Sequence, residues 1–223
     1  MVQGPPIASL GKASNKWGIP TIKDQKVKFD SKKIIPFNYC MSKPLYKRFV
    51  HFFTPDKEFE RVWNTPARYI EILRPFVGVF SPDFSIYKDD PLVVQIYNVF
   101  RNRMMGAYWQ ENGLNVIPTV GWSTEESYDF CFEGVEKGSC VGTSTRGAIH
   151  RSESKKIFLA GYKEMLKRLE PEKVFIYGRR IKELEGPVVW LPWTIFITEE
   201  LDGKPIPAKF HPRREAELLI EQE

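Results

Sequence analysis

Four hydrophobic runs in this sequence each end in a short polar segment, and helical patterns lie between them. The runs are VGVFSPDFS (77–85), NVIPTVGWS (115–123), SCVGTSTRG (139–147) and KVFIYGRR (173–180). Buried strands that alternate with helices form a mainly parallel sheet, in which the helices make the crossovers. The strands expected within these runs are Val77–Ser81, Val116–Val120, Ser139–Thr143 and Val174–Tyr177.

The length of the chain limits how this sheet can close. With 223 residues, 42% of them hydrophobic, the chain can bury a full core. A complete eight-unit barrel typically needs about 250 residues. The predicted fold is therefore α/β, with a mainly parallel sheet and crossover helices, either as an incomplete barrel or as an open twisted sheet.

Threonine and aspartate followed by proline mark several helix starts. Thr54-Pro55 and Thr65-Pro66 predict two short helices before Arg74, and Asp90-Pro91 begins the longest helix. A further amphipathic helix is predicted over Ser154–Leu169. The longest helix carries two sets of residues at helical spacing. Its apolar stripe comprises Val93, Ile96, Tyr97, Phe100 and Met104, and its polar face comprises Gln95, Asn98 and Asn102, with Arg101 beside them.

The positive charge of the chain is concentrated at its N-terminus. Residues 1–33 carry seven lysines and two aspartates, a formal charge of +5 that equals the charge of the whole chain. We divide the chain into a basic flexible arm (1–33), an α/β domain (34–198) and a charged C-terminal segment (199–223). A basic arm can contact phosphates, although a solvated tail explains the same composition.

Several classes of protein and site are disfavoured by the sequence. No apolar run approaches the roughly 20 residues of a membrane span, and the N-terminus lacks the pattern of a secretory signal. Three scattered cysteines fit a reduced, cytoplasmic protein better than a disulfide framework. No histidine and cysteine stand at metal-ligand spacing, so no metal site is expected. No sequence of a serine or cysteine nucleophile appears either.

The candidate site lies where the predicted strands end. In α/β sheets, ligands bind beyond the carboxyl ends of the strands, which all meet at one edge. The candidate catalytic residues are Asp83, Ser85 and Arg146, and the candidate ligand-binding residues are Thr119, Trp122, Ser144, Tyr177 and Arg179. If a pocket exists there, we expect Asp83 and Arg146 to reach one anionic ligand.

Each of these residues also has a structural explanation. Asp83 follows a proline and could cap the backbone of a turn instead of acting as a base. The hydroxyl-rich turn GTSTRG (142–147) could cradle a phosphate, but it matches neither the Walker nor the dinucleotide motif. Trp122 could stack on a base, but tryptophans pack in cores by default. His51 within FVHFF is best explained as a core or strand-end histidine.

A set of short sequences resembles a known family. VHFFTPDKEFERVWNTP, SPDFS, VIPTVGWS, DFCFEG and KVFIYG together resemble the proteins called domain of unknown function 4417, over about Ile34 to Gly178. This family is common in bacteriophages and other mobile elements of Gram-positive bacteria. The resemblance implies a phage- or element-encoded protein within the host cell. It implies no activity, cofactor or catalytic residue.

Three functions therefore remain open at this point. The first is an α/β protein that binds or acts on a nucleotide, a nucleic-acid end or another anionic ligand at the strand ends. The second is an accessory protein that binds nucleic acid through the lysine-rich arm. The third is a non-enzymatic protein that binds a host factor. Whether the protein is an enzyme, and which cofactor and oligomeric state it has, do not follow from the residues.

Overall fold

In a computed structural model of the chain, residues 13, 15–41 and 45–192 are described. Seven parallel strands follow one another along the described chain, with helices between all but the last two. The strands are β1 (Ile34–Pro36), β2 (Phe49–His51), β3 (Gly78–Phe80), β4 (Val116–Ile117), β5 (Val141–Ser144), β6 (Val174–Tyr177) and β7 (Val188–Trp190). The helices are α1 (Phe37–Cys40), α2 (Glu60–Asn64), α3 (Pro66–Leu73), α4 (Leu92–Glu111), α5 (Tyr128–Cys131) and α6 (Ser152–Leu169), and short 3₁₀ turns cover Asp56–Glu58 and Glu125–Ser127.

The order of the strands in space is their order along the chain. Strands β1 to β4 pair as one parallel sheet and β5 to β7 as another. A parallel bridge between Thr119 and Gly142 joins the two sheets. Within the described residues, no pairing closes β7 onto β1. The predicted α/β fold with a parallel sheet is confirmed, and the sheet is an incomplete barrel.

The interior of the curled sheet is filled by aromatic rings. Phe49, Phe80, Ile117, Phe175 and Tyr177 come from β2, β3, β4 and β6 and form one buried cluster. The residues between them on the same strands point outward and pack beneath the helices in two further clusters. Because both faces are covered, the strands are apolar without alternation, as expected for parallel sheets.

Gly142 lets the central rings fit inside the sheet. A Cβ atom added at this position of β5 would lie 2.7 Å from the ring of Phe80. That separation is far shorter than normal van der Waals contact, so a side chain at Gly142 would displace Phe80.

The lysine-rich N-terminal segment differs from the flexible arm that its composition suggests. Residues 15–33 form an extended strap along the body, with Ile19 and Ile22 fully buried. Ile22 forms a parallel bridge with Val135, and the ring of Phe29 stacks on Phe49 with 4.3 Å between centroids. These apolar residues hold the strap across the edge where the strands begin. Residues 1–12 and the charged segment 199–223 lie outside the described residues.

Candidate functional site

A cleft of about 570 Å³ opens at the edge where the strands end. The loops that follow β3, β4 and β5 form its walls, together with the first turns of α6. We call this feature the strand-end cleft. Its position agrees with the general rule that ligand sites of α/β folds lie beyond the carboxyl ends of the strands.

Five of the eight residues proposed from the sequence line this cleft. Asp83 and Ser85 lie in the loop after β3, and Trp122 lies in the loop after β4. Ser144 is the last residue of β5, and Arg146 lies in the loop that follows it. The loops also bring Lys88, Asp89, His150 and Arg151 to the cleft. Three cations therefore face two carboxyl groups, beside apolar surface from Ile86, Tyr87 and Ile157.

The other three proposed residues lie elsewhere. Thr119 is completely buried and takes part in a hydrogen-bonded network beneath the cleft. Tyr177 belongs to the interior of the sheet, where its ring stacks on Phe53 at 5.4 Å. Arg179 lines a separate depression with Lys155 and Glu183. All three lie at or just past strand ends, but their side chains do not face the cleft.

Asp83 does not cap the turn that contains it. The loop hydrogen bonds go to Asp56 instead, whose carboxylate accepts from the Ser85 N–H at 3.0 Å and from its hydroxyl at 2.7 Å. No hydrogen bond to the Asp83 carboxyl occurs within the described part of the chain. The structural explanation that the sequence left open for Asp83 is therefore not supported.

The surroundings of Asp83 favour its protonated form. Burial, together with the negative charge of Asp56, raises the pKa of Asp83 to about 7, although the positive charge of Arg146 partly opposes both effects. A carboxyl with such a pKa exchanges its proton near neutral pH, so it can act as an acid or a base, or donate a hydrogen bond to an anion.

Arg146 is held at the mouth of the barrel by the main chain. Its guanidinium donates to the Phe53 carbonyl at 2.7 Å, and its N–H donates to the Ser144 hydroxyl at 3.1 Å. Burial, together with the smaller effect of the Arg146 charge, lowers the pKa of the neighbouring His51 to about 3. His51 is therefore neutral at physiological pH, and its Nδ1 accepts the Phe53 N–H.

Trp122 lines the cleft, and its side chain is fixed by packing against helix α6. Its indole N–H donates to the Phe158 carbonyl, and its ring stacks on the Phe158 ring at 5.3 Å. A Cβ atom at Gly161 would lie 2.2 Å from the indole, so helix α6 approaches this ring closely. Tyr87, which the sequence analysis did not single out, is 62% exposed and lines the cleft. It is a better candidate to stack on a ligand.

The polar face of α4 points inward, toward the strand ends. Asn102 accepts the Ser81 hydroxyl at 2.7 Å and donates to the Thr119 carbonyl at 3.0 Å. Arg103 is 1% exposed and donates to Asn102 and to three carbonyls, those of Thr119, Cys131 and Glu133. We call these residues the buried network. Sequence spacing marked Asn102 as polar, but only the packing shows that it is buried.

A second group on α4 supports the loop after β3. The Asn98 amide donates to the Ser85 carbonyl at 2.7 Å, and Arg101 donates to the Asn98 side chain at 2.8 Å. Arg101 also lies 3.8 Å over the ring of Phe84 and pairs with Glu60. These contacts fix the loop that carries Asp83 and Ser85. Asp56 and Arg101 are thus positioning residues of the cleft.

Potential metal ligands and free thiols are scattered through the part of the chain that the structure describes. No cluster of three or more potential ligands occurs there. Cys40 and Cys131 are buried free thiols, and burial raises the pKa of each to about 12. They are not thiolates at neutral pH. Among the described helices, none has the length and apolar character needed to cross a membrane.

Comparison with known proteins identifies the family. The family described as Domain of unknown function (DUF4417) matches residues 12–192, and the chain belongs to it. The match includes the N-terminal strap. No solved structure is similar to this chain at a significant level.

Two similar proteins come from mycobacteriophages, and each is named Gene 1 protein. The protein of phage D29 is 38% identical over 130 residues, which cover 58% of this chain and 48% of the relative. The protein of phage L5 is 37% identical over 142 residues, which cover 63% of this chain and 62% of the relative. The chain thus spans between about half and two thirds of these relatives. It is a phage-type protein.

Proposed function

We propose that this member of the DUF4417 family binds a small phosphate-bearing ligand, such as a nucleotide or a nucleic-acid end, in the strand-end cleft. The observation that carries the proposal is the convergence of Arg146, Arg151 and Asp83 on one cleft, where the raised pKa of Asp83 keeps part of its population protonated near neutral pH. These groups come from separate loops, and each can donate hydrogen bonds to an anion.

The shape of the cleft suits a ligand with an apolar part. Ligand sites commonly measure about 300–1,000 Å³ and combine apolar walls with a few polar groups. Here the exposed ring of Tyr87, with Ile86 and Ile157, lies beside the cationic groups. A base or another flat ring can stack on Tyr87 while its phosphate reaches Arg146 and Arg151. Base stacking on an aromatic side chain contributes about 1–3 kcal/mol.

Calorimetry and thermal unfolding test this proposal with sulfate, pyrophosphate, AMP and ribose phosphate. A ligand that binds only the folded protein stabilises it by about 2.7 kcal/mol at a hundred times its Kd. We expect AMP to bind more tightly than ribose phosphate, and Tyr87→Ala to remove the difference. Sulfate and pyrophosphate should bind to the Tyr87→Ala protein as before.

The contribution of Arg151 to ligand binding can be tested against a matched control, Arg168, near the other end of helix α6. Arg151 lies directly before α6. Its replacement in Arg151→Ala should weaken pyrophosphate binding about tenfold, since a charge-assisted hydrogen bond contributes about 1.5–3 kcal/mol. Arg168→Ala, near the other end of α6, should leave binding unchanged, because Arg168 pairs with Glu164 outside the cleft. Equal losses in both variants would indicate a long-range charge effect and would contradict a site in the cleft.

The second candidate, nucleic-acid binding through the lysines, is a separate proposal at the opposite edge. The strap places Lys23, Lys26 and Lys28 near the strand starts, and Lys26 pairs with Asp24 and Glu172. A salt titration of DNA binding with charge-removing Lys→Gln changes in the strap tests it. If the strap binds phosphates, the slope of log K against log salt should fall by about 0.9 for each phosphate that is no longer neutralised. An unchanged slope would rule out this version.

A further inference from the structure

The exposed surface of helix α4 is apolar where solvent-facing helices are normally polar. The stripe on this helix begins at Val93, which is 71% exposed, and continues through Tyr97, which is 42% exposed. Only the C-terminal member of the stripe, Met104, is fully buried. An amphipathic helix of a globular domain turns its apolar stripe toward the core.

The reversal has a clear cause on the inner face of the helix. Gln95 and Asn98 are buried there and hydrogen-bonded, with Gln95 accepting the Ser123 hydroxyl and donating to the Asp90 carbonyl. Because the strand ends and their loops require polar partners, the first half of α4 presents its amides inward. Leu92, Val93 and Tyr97 consequently face solvent.

A groove of about 450 Å³ adjoins this stripe. Its apolar surface comes from Trp17, Leu92 and Ile96, with the buried Phe130 beneath the Trp17 ring. Its acidic wall comes from Glu125, Glu126 and Asp129, all three of which are exposed. Lys16 is the one cation that contacts the wall among the described residues, at 3.7 Å from Asp129. We call this surface the α4 groove. Its apolar floor and acidic rim define the chemistry that complements it.

We propose that the α4 groove docks a basic amphipathic helix of a partner protein. Apolar residues of that helix would cover Leu92, Val93 and Ile96, and its lysines or arginines would face Glu125 and Glu126. Recognition of an amphipathic helix in an apolar groove is a recurrent mode of peptide binding. The charges select the partner and steer its approach. This proposal is independent of the strand-end cleft.

The acidic rim argues against two other occupants. In a symmetric contact between two copies, the same patch faces itself, so the acidic walls would lie against each other. Residues 193–223 of this chain carry seven acidic residues and four lysines or arginines, a formal charge of −3. Neither a second copy of the α4 groove nor residues 193–223 carry the net positive charge that would complement Glu125, Glu126 and Asp129.

Three labelled peptides of about 18 residues, or about five helical turns, test the proposal by fluorescence anisotropy with the full chain. The first carries leucines at i, i+3, i+4 and i+7 with lysines on the flanks. The second replaces the lysines by glutamates, and the third replaces the leucines by serines. We expect micromolar binding of the first peptide and at least tenfold weaker binding of the other two.

Matched variants locate the binding surface. Leu92→Ser with Val93→Ser should reduce the affinity for the lysine peptide at least tenfold, while thermal unfolding stays unchanged because both side chains are exposed. Met41→Ser is the control, since Met41 is 43% exposed outside the α4 groove. Glu125→Gln with Glu126→Gln should weaken binding about threefold or more at low salt. Raising the salt should remove that difference, since exposed charges are screened.

Several results would overturn the proposal. It fails if no peptide binds, which includes the case in which another segment of this chain occupies the groove. It also fails if the glutamate peptide binds equally well, or if Met41→Ser weakens binding as much as the groove variant does. Sedimentation that shows a dimer disrupted by Val93→Ser would assign the groove to a second copy. Sulfate binding in the cleft is measured separately for each variant, so that failure of one proposal can be distinguished from failure of the other.

Discussion

The buried network and the strand-end cleft lie at the same edge of the sheet and use similar residues, but their hydrogen bonding differs. In the buried network, Ser81, Asn102 and Arg103 each satisfy several partners and exclude solvent. In the cleft, Asp83 has a raised pKa and no hydrogen bond to another described residue. Complete bonding stabilises a fold, whereas an unsatisfied polar group beside open space is available to a ligand. The comparison shows that a polar residue at a strand end is not by itself a site residue.

The largest change in stability is expected from a substitution of Arg103 in the buried network. Arg103→Met should destabilise the protein by about 3–5 kcal/mol, because it removes the side-chain donor of the Cys131 and Glu133 carbonyls and one of the two side-chain donors of the Thr119 carbonyl. Urea unfolding measures the change. A loss below about 1 kcal/mol would show that the buried network is not structural. Arg168→Met, on the exposed side of α6, is the control and should cost little.

The same serine-to-alanine substitution can be made once in the buried network and once in the cleft. Ser81→Ala should cost about 2–3 kcal/mol, since the Thr119 N–H loses its acceptor in a solvent-free site. Ser85→Ala should cost about 1 kcal/mol or less, because the cleft is open to water that replaces the missing bond. Denaturant unfolding of the two variants measures the two losses of stability. Equal costs would remove the distinction between the regions.

The pH dependence of stability tests the state of Asp83. Its pKa is raised from 3.8 to about 7 on folding, so its contribution to stability is fully present below pH 3.8 and is lost as pH rises to about 7. Asp83→Asn should therefore stabilise the protein by about 2 kcal/mol at pH 8 and change little at pH 4. Unfolding curves at the two pH values measure this. If the variant is less stable at pH 8, Asp83 has a structural role that contradicts the comparison.

The same variant sharpens the ligand proposal. Sulfate keeps its charge across this range, so its affinity should fall above pH 7 as Asp83 ionises beside Arg146 and Asp56. In Asp83→Asn this decrease should disappear. His150, Asp89, Lys88 and Arg151 also line the cleft. His150→Gln is therefore measured in parallel, and a pH dependence that it removes would belong to His150.

The smallest expected change in stability belongs to Arg151. Its side chain is exposed, so Arg151→Ala should alter the free energy of unfolding by less than about 0.5 kcal/mol while it weakens pyrophosphate binding. Thermal unfolding without ligand, compared with calorimetry, separates the two effects. A large destabilisation would place Arg151 with the structural residues and would remove it from the site.

The amino-acid sequence alone determines the class of the fold and the edge of the sheet at which the candidate residues gather. Continuous apolar runs such as Val174–Tyr177 require burial on both faces, and helices between them require parallel crossovers. Because all parallel strands end at one edge, Asp83, Ser144 and Arg146 could be placed together from the sequence. The strap was missed because its apolar residues, Ile19, Ile22 and Phe29, are too few and too irregular to show periodicity.

Tertiary structure decides which strand-end residues face the cleft and which face inward. Thr119 and Asp83 both follow strands, but Thr119 meets the amides of α4, whereas the loop after β3 turns Asp83 toward the cleft. The orientation of α4 was likewise set by its neighbours, since Gln95 and Asn98 pack against the strand ends and leave Val93 exposed. Helical spacing groups residues on one face but does not say which face is buried. That choice depends on hydrogen-bond partners that are distant in sequence, such as Asn98 and Ser85, or Asp56 and Ser85.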